Sequence, residues 1–257
     1  MTRIFEDDFE SGDLLKWTEV KETDGCTCTI DTTNPKSGTY NLKSVYKDGA
    51  GGGHGCVQKA GLAGTKHDHL FAQASNVKID KMPAGEVREI RVLALTQGSV
   101  SDGVVYAGFY VDNGTLKFSL HYRTGSAFSD IHSTVAAQIN TNYLMELEVL
   151  QSSEGQADGL ARLYVDGEVV CEATELDNDD RAINYAQLGV TGSNSTGAGD
   201  ITITADDYVL ATEYIGLPPP PPSLAEQISS MMSVMINVMM VVMVIRMMSG
   251  MLKGLKK

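Results

Sequence analysis

The chain of 257 residues has little of several things: aromatics (7%, with one tryptophan), cysteine (four) and positive charge, 20 Lys and Arg against 33 Asp and Glu. Each shortage excludes something. Cys26, Cys28, Cys56 and Cys171 are too few for a disulfide-dense scaffold, and a chain of this length folds without such staples, so free thiols are expected. The few bases are also unevenly placed. After Leu217 there are four (Arg246, Lys253, Lys256, Lys257) against one acid (Glu226), a net of +3, which leaves −16 for Met1–Leu217 within the total of −13. A body this acidic repels phosphate backbones, so no nucleic-acid partner is expected. The opening "MTRIFEDDFESGD" has no basic stretch leading into an apolar run, so no secretory signal is expected.

Helical periodicity is also scarce before residue 218. What stands there instead is short alternation between turn residues, the pattern of an all-β protein. In "TLKFSLHYR", Leu116, Phe118, Leu120 and Tyr122 share one face, and Lys117, His121 and Arg123 lie on the other. In "YLMELEVL", Tyr143, Met145, Leu147 and Val149 lie opposite Glu146 and Glu148, which are expected to form a solvated outer stripe. Asn113-Gly114 and Asp166-Gly167 sit where two hairpins turn, since both pairs tolerate positive φ. Further strands are expected at Leu70–Ile79, Arg88–Thr96, Val104–Val111, Ala186–Val190 and Ile201–Thr212. About a dozen strands before residue 217 predict two packed antiparallel sheets. "DGAGGGHGC" is a loop without the Lys-Ser/Thr of a phosphate cradle.

"FEDDFESGDLLKW", "SGTYNLKS", "ARLYVDGEVV" and "ITADDYVLATEYIG" together resemble the concanavalin A-like lectin/glucanase superfamily, the laminin-G-like jelly rolls above all, over residues 4–216. The resemblance implies a two-sheet antiparallel jelly-roll sandwich whose first and last strands pair, Phe5–Phe9 beside Asp206–Leu210. It also implies one structural Ca²⁺ near that junction, held by Asp8, Glu10, the Gly38 carbonyl and Asp206; such hard oxygen ligands suit calcium. Members include glycan-binding modules, hydrolases, polysaccharide lyases and virion or adhesion domains. A hydrolase needs two flanking carboxylates, and "MELEVL" offers Glu146 and Glu148 without a third acid or an aromatic on that face. A lyase of this fold uses basic residues with Tyr or His on its concave sheet. Lys117, His121 and Arg123 have that arrangement, and "VREIRVL" faintly matches a lyase string. They are the expected glycan-binding residues.

"CTC", "HGC" and "HDH" each set two soft ligands two residues apart, on one face if extended, a zinc-like arrangement with no familiar loop lengths. A bridge from Cys26 or Cys28 to Cys56 is the alternative outside a cell.

The end of the chain differs in kind. Residues 217–223 contain five consecutive prolines, a polyproline II spacer of about 15 Å. Residues 224–257 then predict one hydrophobic α-helix holding nine of the twelve methionines, uncharged from Gln227 to Ile245. That stretch is about 28 Å long as a helix, close to a bilayer core. Ile228, Met232, Met235, Met239, Val242, Met243 and Arg246 are expected to meet either lipid or the tails of other copies. The sequence thus favours a non-enzymatic display protein of a virion or cell surface, its jelly roll able to bind glycan and its tail fixed in a homo-oligomer or membrane. The alternative is a membrane-attached polysaccharide lyase or glycoside hydrolase.

Overall fold

The computed structural model describes residues 2–33, 35–47, 49–62, 69–81, 89–98, 102–193, 199–217 and 232. The chain divides into two compact units, Met1–Leu217 and Pro218–Lys257. The linker and tail expectations, with Ile228, Met235, Met239, Val242, Met243 and Arg246, lie outside the described residues; Met232, described alone there, is helical and exposed. Among the described residues no helix is long and apolar enough to cross a membrane.

The first unit is all-β. Its strands are β1 (Arg3–Asp7), β2 (Glu19–Glu22), β3 (Thr27–Asp31), β4 (Asn41–Tyr46), β5 (Gly55–Ala60), β6 (His69–Lys81), β7 (Glu89–Thr96) and β8 (Gly103–Asp112). There follow β9 (Thr115–Thr124), β10 (Ala127–Ala136), β11 (Tyr143–Leu150), β12 (Gly159–Val165), β13 (Glu168–Leu176), β14 (Tyr185–Ser193) and β15 (Ile201–Ala211). One sheet runs β13-β12-β11-β6-β15-β4-β3 with β1 also on β15, and the other runs β10-β9-β8-β7-β14-β5-β2. All pairings are antiparallel, and the apolar faces of both sheets share one core.

Alternation explains the layering. Leu116, Phe118 and Leu120 of β9 and Met145, Leu147 and Val149 of β11 are all buried in that core. The expected hairpins turn where their chemistry allows, with positive φ at Asn113, Gly114, Asp166 and Gly167. The first and last strands do pair, with Phe5 opposite Leu210 and Asp7 opposite Tyr208. Phe5, Phe9, Trp17 and Tyr208 form an aromatic cluster there, and the Trp17 indole donates to Asp7 Oδ2 at 2.8 Å. β4 pairs with residues 201–205 of β15 and β1 with residues 208–211, so the two lie end to end along its edge. At the junction the backbone turns, Asp207 taking φ 44°. Asp206 is buried there, and its Oδ2 accepts the Lys36 amide at 2.8 Å.

One expectation is overturned. Glu146 and Glu148 are not a solvated stripe; they are 2% and 4% exposed. The chain after β15 passes over Glu146, whose carboxylate accepts the amides of Ile215 (2.8 Å) and Gly216 (3.0 Å) and the Gln73 side chain (3.0 Å). Glu148 meets His69 Nε2 at 2.8 Å and accepts the Tyr164 hydroxyl at 2.7 Å. Aromatics do share this face, because Tyr164 and Tyr214 pack with ring centroids 5.1 Å apart. Alternation correctly placed both acids outside the core. It was blind to the C-terminal segment that covers them.

Candidate active site

The outward face of the second sheet is polar yet mostly shielded. Strand register determines what meets there: Tyr106 lies opposite His121, Gly108 opposite both Arg91 and Ser119, and Tyr110 opposite both Glu89 and Lys117. Glu89 is at the centre, its side chain 4% exposed. Arg91 clamps it from the same strand, Nε to Oε1 at 2.6 Å and Nη2 to Oε2 at 3.1 Å. From β9, His121 Nε2 approaches the same Oε1 at 2.7 Å, without the alignment of a hydrogen bond. Burial pushes the Glu89 carboxyl up, but His121 and Arg91 outweigh it and hold it below the ordinary carboxylate value. The Arg91 guanidinium also lies 4.6 Å from the Tyr106 ring centroid.

Around this centre stand further groups of the same chemistry. Tyr110 stacks on His132 at 3.6 Å, and burial lowers the His132 pKa, with Asp130 opposing. Lys117 reaches Asp112 at 2.8 Å and is about a quarter exposed (27%), as Arg91 is (28%). Gly108 lies between Tyr106 and Tyr110 on β8, and the close approach of Ile90 leaves no room there for a Cβ. The floor in front of Arg91 and Ser119 therefore carries no side chain.

Of the three residues expected to bind glycan, Lys117 and His121 belong to this group. Arg123 has different contacts. It is buried, donates to the carbonyls of Gly103 (3.3 Å) and Ser126 (3.1 Å), and stacks over Phe128 at 4.3 Å, bracing the β9–β10 hairpin. Glu89, Arg91, Tyr106 and Tyr110 were not named from the sequence. Two of them stood in the quoted "VREIRVL", where Glu89 and Arg91 have the two-residue spacing of one strand face.

The expected calcium residues gather only in part. The Glu10 carboxylate accepts the amides of Thr39 and Tyr40 at 2.9 Å and fills the space beside Gly38, where a Cβ would collide with it. Asp206 faces the same loop through Lys36, while Asp8 turns to Lys16 at 3.3 Å. Among the described residues no three His, Cys, Asp or Glu converge as a metal cluster. The zinc arrangement is likewise not assembled among them: the four cysteines are free and buried, His54 Nδ1 sits 2.7 Å from the Thr191 carbonyl, and His69 is on Glu148. His67 lies outside the described residues.

No protein-family model matches the chain, and no curated protein matches it in sequence. Solved structures do. An endo-β-1,4-glucuronan lyase from the fungus Trichoderma reesei superposes with a TM-score of 0.64 at 17% identity, covering 86% of this chain and 100% of its own. A cellulose-induced protein gives 0.57 at 15%, covering 83% and 100%, and an alginate lyase from the marine Aplysia kurodai gives 0.56 at 11%, again covering 83% and 100%. The likeness is one of fold. It places the chain among jelly-roll sandwiches that include polysaccharide lyases, and it lends no support to a virion tail or display role.

Proposed function

We propose that this protein is a polysaccharide lyase that cleaves uronic-acid polymers by β-elimination on the outward face of its second sheet. One observation carries the reading: a buried carboxylate, Glu89, holds a histidine and an arginine on a sheet face that also bears two tyrosines and a lysine. The lyases among the structural neighbours favour it over the display reading.

The chemistry follows from the substrate. The C5 proton of a uronate is acidic only when the adjacent carboxylate is neutralised, so the site needs a cation, a base and an acid for the leaving O4. Arg91 and Lys117 are the partly exposed cations beside His121 and supply the first. Glu89 lies against Nε2 of His121 and favours the tautomer with its proton there, in which Nδ1 is the base, the orienting logic of a catalytic dyad. His121 Nδ1 takes the C5 proton, the C4–O4 bond breaks as the C4–C5 double bond forms, and the Tyr110 hydroxyl protonates O4. Proton return from His121 to Tyr110 through solvent resets the site. No water is added across the bond, so the product is an unsaturated uronate that absorbs in the ultraviolet. Incubating full-length protein with glucuronan and alginate and following that absorbance tests the reading, with His121→Ala as control.

Two sequence expectations stay within the proposal. Calcium would be held by the expected set of Asp8, Glu10, the Gly38 carbonyl and Asp206, all hard oxygens, of which Glu10 and Asp206 both accept amides of the 36–40 loop. Its role would be to fix that loop beside β15 and to lower the cost of burying Asp206. Residues 224–257 would hold the enzyme to a membrane or to other copies of itself.

A further inference from the structure

Beyond the proposed cleft, the outer face of the other sheet carries a cavity of about 240 Å³ lined by Asp31, Lys43, Lys78, Asp80, Thr202 and Thr204. Register explains the cluster. Thr204 of β15 lies opposite Lys78 of β6 on one side and Lys43 of β4 on the other, so two ammonium groups flank one hydroxyl across three adjacent strands. Their states differ. Lys78 is spent on Asp80 at 2.7 Å, whereas Lys43 has no ion-pair or hydrogen-bond partner for its ammonium among the described residues.

Thr204 is more telling. It is 3% exposed, and its hydroxyl has no hydrogen-bond partner. Leaving such a group unmade is costly, and buried polar atoms are paired in the great majority of cases. Thr204 is among the residues that line the cavity, so a turn of its side chain about the Cα–Cβ bond would present the unpaired hydroxyl to a ligand there. Carboxylates at Asp31 and Asp80, threonine hydroxyls and a free ammonium together offer acceptors for sugar hydroxyls and a cation for a carboxylate. The volume is below the roughly 300–1,000 Å³ of sites for drug-sized ligands and suits one sugar ring.

We propose that this cavity binds one uronate unit of a polysaccharide away from the cleft, with the carboxylate on Lys43 and a ring hydroxyl on Thr204. The choice of a uronate rests on the lyase reading; the demand for hydroxyls plus one anionic group rests on the cavity itself. The site would hold the polymer against a body whose net charge of −16 otherwise repels it.

The test is calorimetric titration of the full chain carrying His121→Ala, which stops turnover, with a β-1,4-linked glucuronic acid tetrasaccharide and with cellotetraose as its neutral counterpart. Adding Lys43→Ala or Thr204→Val, each checked for an unchanged melting temperature, should abolish one binding event or weaken it about tenfold, the size of a lost charge-assisted contact. Cellotetraose should bind this site about tenfold more weakly for the same reason. Two binding events with one sensitive to Lys43 support both sites. A single event lost in Lys43→Ala supports the cavity and leaves the cleft without substrate, so the two readings fail separately. Binding indifferent to both substitutions, equal binding of cellotetraose, displacement by inorganic phosphate at equal concentration, or no binding would overturn the proposal.

Discussion

His121 Nε2 and Glu89 Oε1 lie 2.7 Å apart on one face of the second sheet, reaching across β8 from β9 and β7, with Arg91 completing the clamp. Removing one member of a buried ion pair leaves the others uncompensated, so Glu89→Ala should cost roughly 3–5 kcal/mol in chemical denaturation. Glu89→Gln should be milder in stability and still lower turnover, because the ring of His121 loses its orienting charge. The pH dependence has a definite sign. The Glu89 pKa is held low in the fold, so its contribution is complete above the ordinary glutamate value of about 4.3 and drains away as pH falls through the folded value. Melting temperatures recorded from pH 7 to 3 should show less acid loss in Glu89→Gln than in the wild type.

Asp206 has the opposite sign. Burial and the charge of Asp207 push its carboxyl up to about 6, despite the amides of Lys36 and Ser37. A raised carboxyl contributes fully below the unfolded value of about 3.9 and loses that contribution as pH rises through 6. Asp206→Asn should therefore flatten the fall in melting temperature between pH 4 and 7. Millimolar calcium should raise the wild-type melting temperature at pH 7, a chelator should lower it, and Asp206→Asn should blunt both changes. Identical curves with calcium and chelator would remove calcium from the account.

Glu146 pins the chain as it leaves the sandwich, through the amides of Ile215 and Gly216. Glu146→Ala leaves these donors and the Gln73 amide without their carboxylate, at a cost of about 2–4 kcal/mol. Hydrogen exchange at Ile215 and Gly216 should accelerate while the His121 cleft keeps its activity. Lost activity with an intact fold would assign this carboxylate to the chemistry instead.

The fold was legible because β sandwiches announce themselves in alternation and turns. "TLKFSLHYR" gave the inward face of β9, Asn113-Gly114 gave a hairpin, and the resemblance carried by "FEDDFESGDLLKW" and "ITADDYVLATEYIG" implied the β1–β15 pairing. The site was legible only by strand. Lys117 and His121 were visible together, but Glu89 and Arg91 come from a strand that reaches His121 only through β8, and no local pattern encodes that register. Arg123 shares the strand face of Lys117 and His121 by alternation, and its contacts brace a hairpin, which a strand pattern does not encode. Glu146 and Glu148 misled for a related reason: period-two logic reports a face, and a later segment of chain decides whether that face meets water.

A chain ending at Leu217 should stay folded, because the core and both sheets lie within Met1–Leu217. Sedimentation of this truncation beside the full chain, with and without anionic vesicles, should show a monomer indifferent to lipid. The full-length protein should self-associate or pellet with the vesicles. Equal behaviour of the two would take anchoring away from residues 218–257.

The most direct measurement is the ultraviolet absorbance of a β-1,4-glucuronan or alginate solution after addition of the full-length protein. The lyase account predicts a steady rise from unsaturated uronate ends, reduced about a hundredfold or more in His121→Ala. No rise with either polymer, or an equal rise from His121→Ala, would contradict it.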